Sequence, residues 1–414
     1  MKKIPLPPAR PERMLHALRK AAVLCICMLG AVGCATPGNS DQKLATALDQ
    51  DLKDYLTSRS SAEHISTLSL TVSFGGGAPD INVSTGTSQY GGGVAVTPAN
   101  VFQTGSNTKA FTAVAILQLE AAGLLTIEDP VGKWLPQYPQ YANVTIKQLL
   151  NMTSGIPSYT SNAAQQERMA TEPMSEITPE NLIDCVLSEP VQTPGAAFDY
   201  SNTNYILAQL IVDKVSPSHS YQTDINNIIS KNNLKDTFYE PYFYPSSVTS
   251  RLVSGYYVND DDRNDPLYAL YGHDTSGYSL GWAQAAGGMI STPEDLTRWV
   301  RDLYEGDVLP PKQLQELESL VSTKTGQPIS STSQSDSTGF GLGVFQITDP
   351  NVGLFWGYQG STIGYRATYE YFPSNGMIIC IFTNSQTSNA QNQIIAQLFP
   401  KVYATLKSAG RIHD

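Results

Sequence analysis

Cysteine and histidine are both scarce in this chain, five of each in 414 residues, and their placing removes several chemistries at the outset. Cys25, Cys27 and Cys34 lie near the N-terminus, so the body of the chain has only Cys185 and Cys380, too few for a disulfide framework. A single bridge between those two stays open, although Cys380 sits in the apolar run 377–382, where a thiol is simply packed. His16, His64, His219, His273 and His413 form no pair at metal-ligand spacing. Zinc chemistry and a histidine-based triad are therefore not expected, and neither a metal nor any other cofactor is indicated.

Positive charge is also short. Lys and Arg number 26 against 37 Asp and Glu, a formal net charge of −11, so the chain offers little for a phosphate backbone and nucleic acid is not an expected partner. Asp260, Asp261 and Asp262, with Arg263 and Asp265, read as a solvated loop; the spacing lacks the full calcium-loop pattern. No apolar run is long enough to span a bilayer. The longest, 21–32, follows six basic residues and reads as a secretory signal. Ala31-Val32-Gly33-Cys34 resembles a bacterial lipobox, with Cys34 as the lipidated residue and 34–40 as a short linker; a cut after Ala35 is the alternative. Ala35 after the cysteine implies tethering to the outer membrane, facing the periplasm. The first 33 residues carry six basic side chains and one acid, so their removal would shift the net charge from −11 to −16.

What the chain does have is Ser106-Asn107-Thr108-Lys109, placed at the start of a segment, 110–119, that is apolar nearly all round. Ser and Lys three apart share one face of a helix, and such a segment predicts a helix buried in a core. Gly123 would stop it, and Gly105 would let the backbone turn in. A serine hydroxyl needs a base within hydrogen-bond reach and donors for the oxyanion that follows. Ser106 at a helix N-terminus with a desolvated Lys109 beside it would have both.

The stretch 101–109 resembles the nucleophile motif of penicillin-recognising serine hydrolases, the superfamily of class C β-lactamases, D-alanyl-D-alanine carboxypeptidases and related esterases and amidases. A second family element, Tyr-x-Asn, is matched by Tyr200-Ser201-Asn202 after the turn Thr193-Pro194-Gly195. The resemblance implies that Tyr200 shuttles the proton of Ser106 and that Asn202 contacts the substrate amide. The third element is a strand that forms the opposite cleft wall, for which Tyr358-Gln359-Gly360-Ser361 is the candidate. The family usually places Lys or His where Tyr358 stands, so a cation for a substrate carboxylate is missing. The backbone N–H of Ser361, with that of Ser106, would form the oxyanion hole. The segments 149–156, with Met152 in place of a family histidine, and 286–296 extend the resemblance as scaffold.

A rival nucleophile is Ser279 in Gly277-Tyr278-Ser279-Leu280-Gly281, a Gly-x-Ser-x-Gly pattern that requires a buried strand before the serine and a later histidine. Polar, turn-like residues precede it, and only His413 follows.

The order of elements predicts an α/β (α+β) protein of β-lactamase/transpeptidase type: an antiparallel sheet flanked by N- and C-terminal helices, with an inserted all-α lobe. Residues 41–128 with 305–414 would form the α/β lobe and 129–304 the α-rich insertion. Strand-like 68–74 alternates in polarity; 340–347, 363–372 and 377–383 would form a meander, with Ser374-Asn375-Gly376 as a hairpin turn. A C-terminal helix at 390–406 would be interrupted at Pro400. The expected function is a secreted serine hydrolase working through an acyl-enzyme, D-alanyl-D-alanine carboxypeptidase-like, on peptidoglycan or D-amino-acid peptides. A β-lactamase or carboxylesterase of the same fold, and a non-catalytic penicillin-binding-like module, are the alternatives.

Overall fold

The computed structural model describes residues 39–259, 263–387 and 394–412. Its frame is a ten-stranded sheet in the order Gly92–Ala95, Ile81–Gln89, Thr67–Ser73, Met377–Thr383, Arg366–Phe372, Gly353–Ser361, Phe345–Asp349, Thr338–Phe340, Leu320–Ser322 and Pro328–Ile329. Every neighbouring pair runs antiparallel. Two chain segments distant in sequence thus share one sheet, because Thr67–Ser73 pairs with Met377–Thr383 at its centre.

Three adjacent strands, Thr67–Ser73, Met377–Thr383 and Arg366–Phe372, are buried at every residue. On one face, Leu68, Leu70, Val72, Ile379 and Ile381 pack with Leu44, Leu48 and Leu52 of the helix Asn39–Glu63, and with Leu398 and Val402 of the helix Ile394–Ser408. The other face meets a second core that includes Trp299 of the helix Pro293–Glu305 and Phe111 of the helix Thr108–Ala121, whose rings stack 3.8 Å apart. Polar alternation in Thr67–Ser73 therefore does not mark a solvent face: Ser73 Oγ accepts from Arg301, and Thr71 donates to Asn82. Helices cover both sides.

Three local expectations change. The span 340–347 is not one strand but part of two, Thr338–Phe340 and Phe345–Asp349, folded back so that Phe340 pairs with Phe345. Thr362–Tyr365 is a turn closed by Thr362 N–H to Tyr365 O at 3.0 Å, so the next strand begins only at Arg366. Pro400 does not interrupt the helix Ile394–Ser408. It and Ala396, whose carbonyl it leaves without an amide donor, are exposed to water, which can hydrate the freed group. The hairpin at Ser374-Asn375-Gly376 forms as expected, with Gly376 N–H bonded to Phe372 O.

Between the sheet halves the chain makes mostly short helices, of which Thr203–Val215 is buried along most of its length, and a small sheet of Phe102–Gln103, Met289–Ser291 and Phe238–Tyr239. The N-cap of Pro293–Glu305 is Thr292, whose hydroxyl accepts from Asp295 N–H, with Pro293 in the first turn. The strand Met289–Ser291 also pairs with Phe102–Gln103, and so sets the chain that leads into Ser106.

Candidate active site

Gly105–Asn107 forms a single 3₁₀ turn that runs into the helix Thr108–Ala121. Two glycines let this turn touch the sheet. A β-carbon on Gly105 would lie 2.5 Å from the backbone N of Ser361, and one on Gly360 would lie 2.0 Å from Thr104 O and 2.8 Å from Ser106 N. The C-terminal end of the strand Gly353–Ser361 therefore presses directly on the backbone of Ser106, with the amides of Ser106 and Ser361 in the same corner. Asn107 Nδ2 donates to Thr104 O and to Ala367 O, which fastens the turn to the neighbouring strand.

Ser106 is half-buried, while Lys109 is fully buried. Lys109 Nζ lies 3.0 Å from Ser106 Oγ, 2.7 Å from Asn202 Oδ1 and 2.6 Å from Ala286 O. No carboxylate is among these partners, and burial pushes the amine well below the ordinary lysine range. The geometry suits the neutral form. A neutral amine has two N–H groups, which match the two acceptor-only oxygens of Asn202 and Ala286, and one lone pair, which is then left for the hydroxyl proton of Ser106.

Tyr200 reaches the same oxygen from the other side. Its hydroxyl donates to Ser106 Oγ at 2.9 Å and lies 2.9 Å from Tyr358 Oη. The loop that carries it is pinned before the helix Thr203–Val215: Ser201 and Thr203 both donate to Pro157 O, and Asn202 N–H bonds Ser158 Oγ. Met152, standing where a histidine was the family expectation, takes Ser201 N–H and Asn204 Nδ2 on its sulfur. Burial pushes the Tyr200 phenol up to about 12, against the hydrogen bonds to Ser106 and Tyr358, which lower it. Tyr200 is thus a proton donor at any ordinary pH.

Ser106, Lys109, Tyr200, Asn202, Tyr358, Gly360 and the Ser361 backbone are brought together. Gln359 is not. Side chains alternate along a strand, and with Tyr358 and Gly360 facing Ser106, Gln359 points to the opposite face, across from Thr368. Asn202 faces inward and its amide is occupied at both ends, by Lys109 and by Thr160 Oγ1 at 2.9 Å. Tyr358 is no open cleft wall: it is 4 % exposed, with Phe340 and Phe345 edge-on to its ring. Thr160 and the Ala286 carbonyl are site groups that the sequence reading passed over. Ala286 stood in a segment read as scaffold, and a backbone acceptor leaves no side-chain signal.

Ser279 is buried, and its hydroxyl accepts Gly281 N–H at 3.1 Å within its own turn. No strand precedes it, and His413 lies outside the described residues, as do Cys34 and Asp260–Asp262. His273 is exposed in a turn. Cys185 and Cys380 are free thiols.

Comparison with known proteins agrees with the fold. The profile described as Beta-lactamase matches residues 53–398. Penicillin-binding protein 4* of Bacillus subtilis strain 168 is 26 % identical over 312 residues, 72 % of this chain and 63 % of its own length. The chain thus spans less than two thirds of that relative. Among solved structures, a D-stereospecific amidohydrolase from Streptomyces sp. is 28 % identical with a TM-score of 0.69, covering 85 % of this chain and 98 % of its own. A D-amino acid amidase from Ochrobactrum anthropi SV3, complexed with L-phenylalanine amide, shares the fold at TM-score 0.72 and 21 % identity, covering 89 % and 99 %.

Proposed function

The chain belongs to the Beta-lactamase family of serine hydrolases, and within it we propose an acyl-enzyme hydrolase that cleaves amide bonds of D-amino-acid peptides or amides. The observation that carries the reaction is the set of three partners around Lys109 Nζ, two obligate acceptors and Ser106. Neutral Lys109 takes the hydroxyl proton as Ser106 Oγ attacks the carbonyl carbon. The oxyanion forms between the N–H groups of Ser106 and Ser361. When the C–N bond breaks, its electron pair stays on nitrogen, which takes the Tyr200 proton; Lys109 then returns its proton to Tyr200. Water repeats the sequence on the acyl-enzyme.

Two things support the substrate class: the similarity to the Streptomyces amidohydrolase along nearly its whole length, and the uncharged residue at Tyr358. A D-alanyl-D-alanine carboxypeptidase acting on peptidoglycan needs a cation for the terminal carboxylate. Lys109 is committed to its three partners, and Tyr358 supplies no charge. An amide or peptide without that carboxylate fits better. The same lack of charge at Tyr358 favours, as a second reading, small neutral esters. An extracytoplasmic location with Cys34 as lipid anchor belongs to the proposal, and mass spectrometry that found a free Thr36 N-terminus would exclude the lipid anchor.

The test is labelling of Ser106 by a fluorophosphonate and by a fluorescent penicillin, with turnover of D-alanine amide compared with that of N-acetyl-D-alanyl-D-alanine. Labelling at Ser106 and faster amide turnover are expected. Failure of both labels on folded protein would sink the hydrolase assignment, and faster cleavage of the carboxylate-bearing dipeptide would reverse the substrate choice.

A further inference from the structure

Tyr358 is buried among aromatic rings and yet spends its hydroxyl on one partner of chemical consequence. Phe345 and Phe340 stand edge-on to its ring, at 5.0 Å and 6.2 Å between centroids, and Phe340 is also edge-on to Tyr200 at 6.4 Å. Its oxygen lies 2.9 Å from that of Tyr200.

The direction of this bond follows from counting protons. A phenol has one O–H to donate. Tyr200 gives its own to Ser106 Oγ, so toward Tyr358 it can only accept, and Tyr358 is the donor. The chain therefore runs Tyr358 to Tyr200 to Ser106, and it ends at the oxygen that Lys109 also meets. A donor aimed at the Tyr200 oxygen is worth most at the moment that oxygen becomes a phenolate, since hydrogen bonds to ionised acceptors are roughly twice as strong as neutral ones. In a site lined by Phe340 and Phe345 no water need be reorganised to provide it.

Resting on the acyl-enzyme reading above, we propose that Tyr358 is a positioning residue for leaving-group protonation: it holds the Tyr200 hydroxyl on Ser106 and stabilises Tyr200 as it gives up its proton. In the step concerned the C–N bond of the tetrahedral adduct breaks, its electron pair goes to nitrogen, and nitrogen takes the Tyr200 proton. The phenolate oxygen keeps the Tyr358 hydrogen bond until Lys109 returns the proton. Tyr358 itself neither gains nor loses one, which accords with burial holding its phenol far above the ordinary range.

The role predicts a dependence on the leaving group that simple packing would not show. Amine leaving groups need the proton, whereas p-nitrophenolate departs without one. Tyr358→Phe keeps the ring and removes only the donor. It should lower kcat for an amide about 10- to 100-fold, the loss typical of one hydrogen bond to a charged group. KM should change little, and kcat/KM for the matching p-nitrophenyl ester, which reports acylation without the shared deacylation step, should stay within about threefold. Thermal melting establishes that the variant is folded. If it is not, replacement of Tyr358 by 3-fluorotyrosine keeps the shape and makes a better donor, and amide kcat/KM should then rise while ester kcat/KM stays fixed. Equal losses on amide and ester, or a change in KM alone, would overturn the proposal and leave the acyl-enzyme reading intact. Absence of Ser106-dependent turnover in the unsubstituted protein would overturn both.

Discussion

Replacing Gly360 by alanine adds one methyl group at the tightest contact of the site. An ideal β-carbon there would lie 2.0 Å from Thr104 O, 2.7 Å from Asn107 Nδ2 and 2.8 Å from Ser106 N, whereas ordinary contact begins at 3.4 Å. The overlap with the Thr104 carbonyl exceeds an ångström, and the obstacle is backbone, which no rotamer change can clear. Either the strand Gly353–Ser361 backs away or the 104–107 turn moves, and both separate the Ser361 amide from Ser106. Loss of one oxyanion donor typically costs about 100- to 1000-fold, and a misplacement of about 1 Å costs a similar factor. Overpacking of this kind destabilises by about 1–3 kcal/mol, too little to unfold a typical domain. Gly360→Ala should therefore lose about 100- to 1000-fold in kcat/KM for a D-amino-acid amide, and slow fluorophosphonate labelling of Ser106, while still melting cooperatively. Gly277→Ala is the control. A β-carbon on Gly277 meets nothing within 4 Å, and this glycine opens the rival Gly-x-Ser-x-Gly pattern, so its activity should stay near that of the parent. Activity of Gly360→Ala within fivefold of the parent would refute the oxyanion role given to this corner.

The remaining predictions concern titration and packing. Acylation requires neutral Lys109, whose folded-state value burial pushes well below 10.5, so kcat/KM should fall as pH drops through that lowered value and show no loss from Tyr200 until about pH 12. Lys109→Arg, which cannot become neutral, should abolish turnover at every pH tested in a pH–rate profile. Because the unfolded chain holds the Lys109 proton over the window between the lowered value and 10.5, this residue should make stability rise with pH there. Glu370 should act oppositely. Burial raises its carboxyl from 4.5 to about 8, against a hydrogen bond from Thr368, so the folded state holds a proton that the unfolded state releases, and stability should fall as pH rises from 4.5 through 8. The swing is of the order of 4–5 kcal/mol, and Glu370→Gln, measured by urea unfolding at pH 5 and pH 9, should remove it. Arg366 and Glu63 form a buried pair at 2.7 Å, so Glu63→Gln should cost about 3–5 kcal/mol in chemical denaturation by removing the carboxylate that faces the buried guanidinium.

Much of the fold was legible because burial writes itself into sequence. The all-round apolar segment after Ser106 could only be an interior helix, and the Ser374-Asn375-Gly376 turn fixed the antiparallel pairing of the strands beside it. The misreadings share a cause. The span 340–347 read as one strand because an apolar run does not state where the chain folds back to pair Phe340 with Phe345. Pro400 read as a break because its cost depends on whether the freed carbonyl meets water, which a sequence does not state.

At the site the division is the same. The sequence by itself determined that Ser106 and Lys109 share a helical face at the mouth of a buried helix, because a three-residue spacing fixes that geometry locally. Tyr200 and Asn202 were marked as partners by the resemblance of Tyr200-Ser201-Asn202 to a family element. Only the tertiary structure decided what they touch. Lys109 meets Asn202 and Ala286 across 93 and 177 positions of chain, and Tyr200 meets Tyr358 across 158. Strand register turned Tyr358 toward Ser106 and Gln359 away from it, since a shift of one residue reverses every side chain of a strand. Helical spacing is a property of the backbone; which atoms close around an oxygen is set by packing between elements that the chain brings together only when folded.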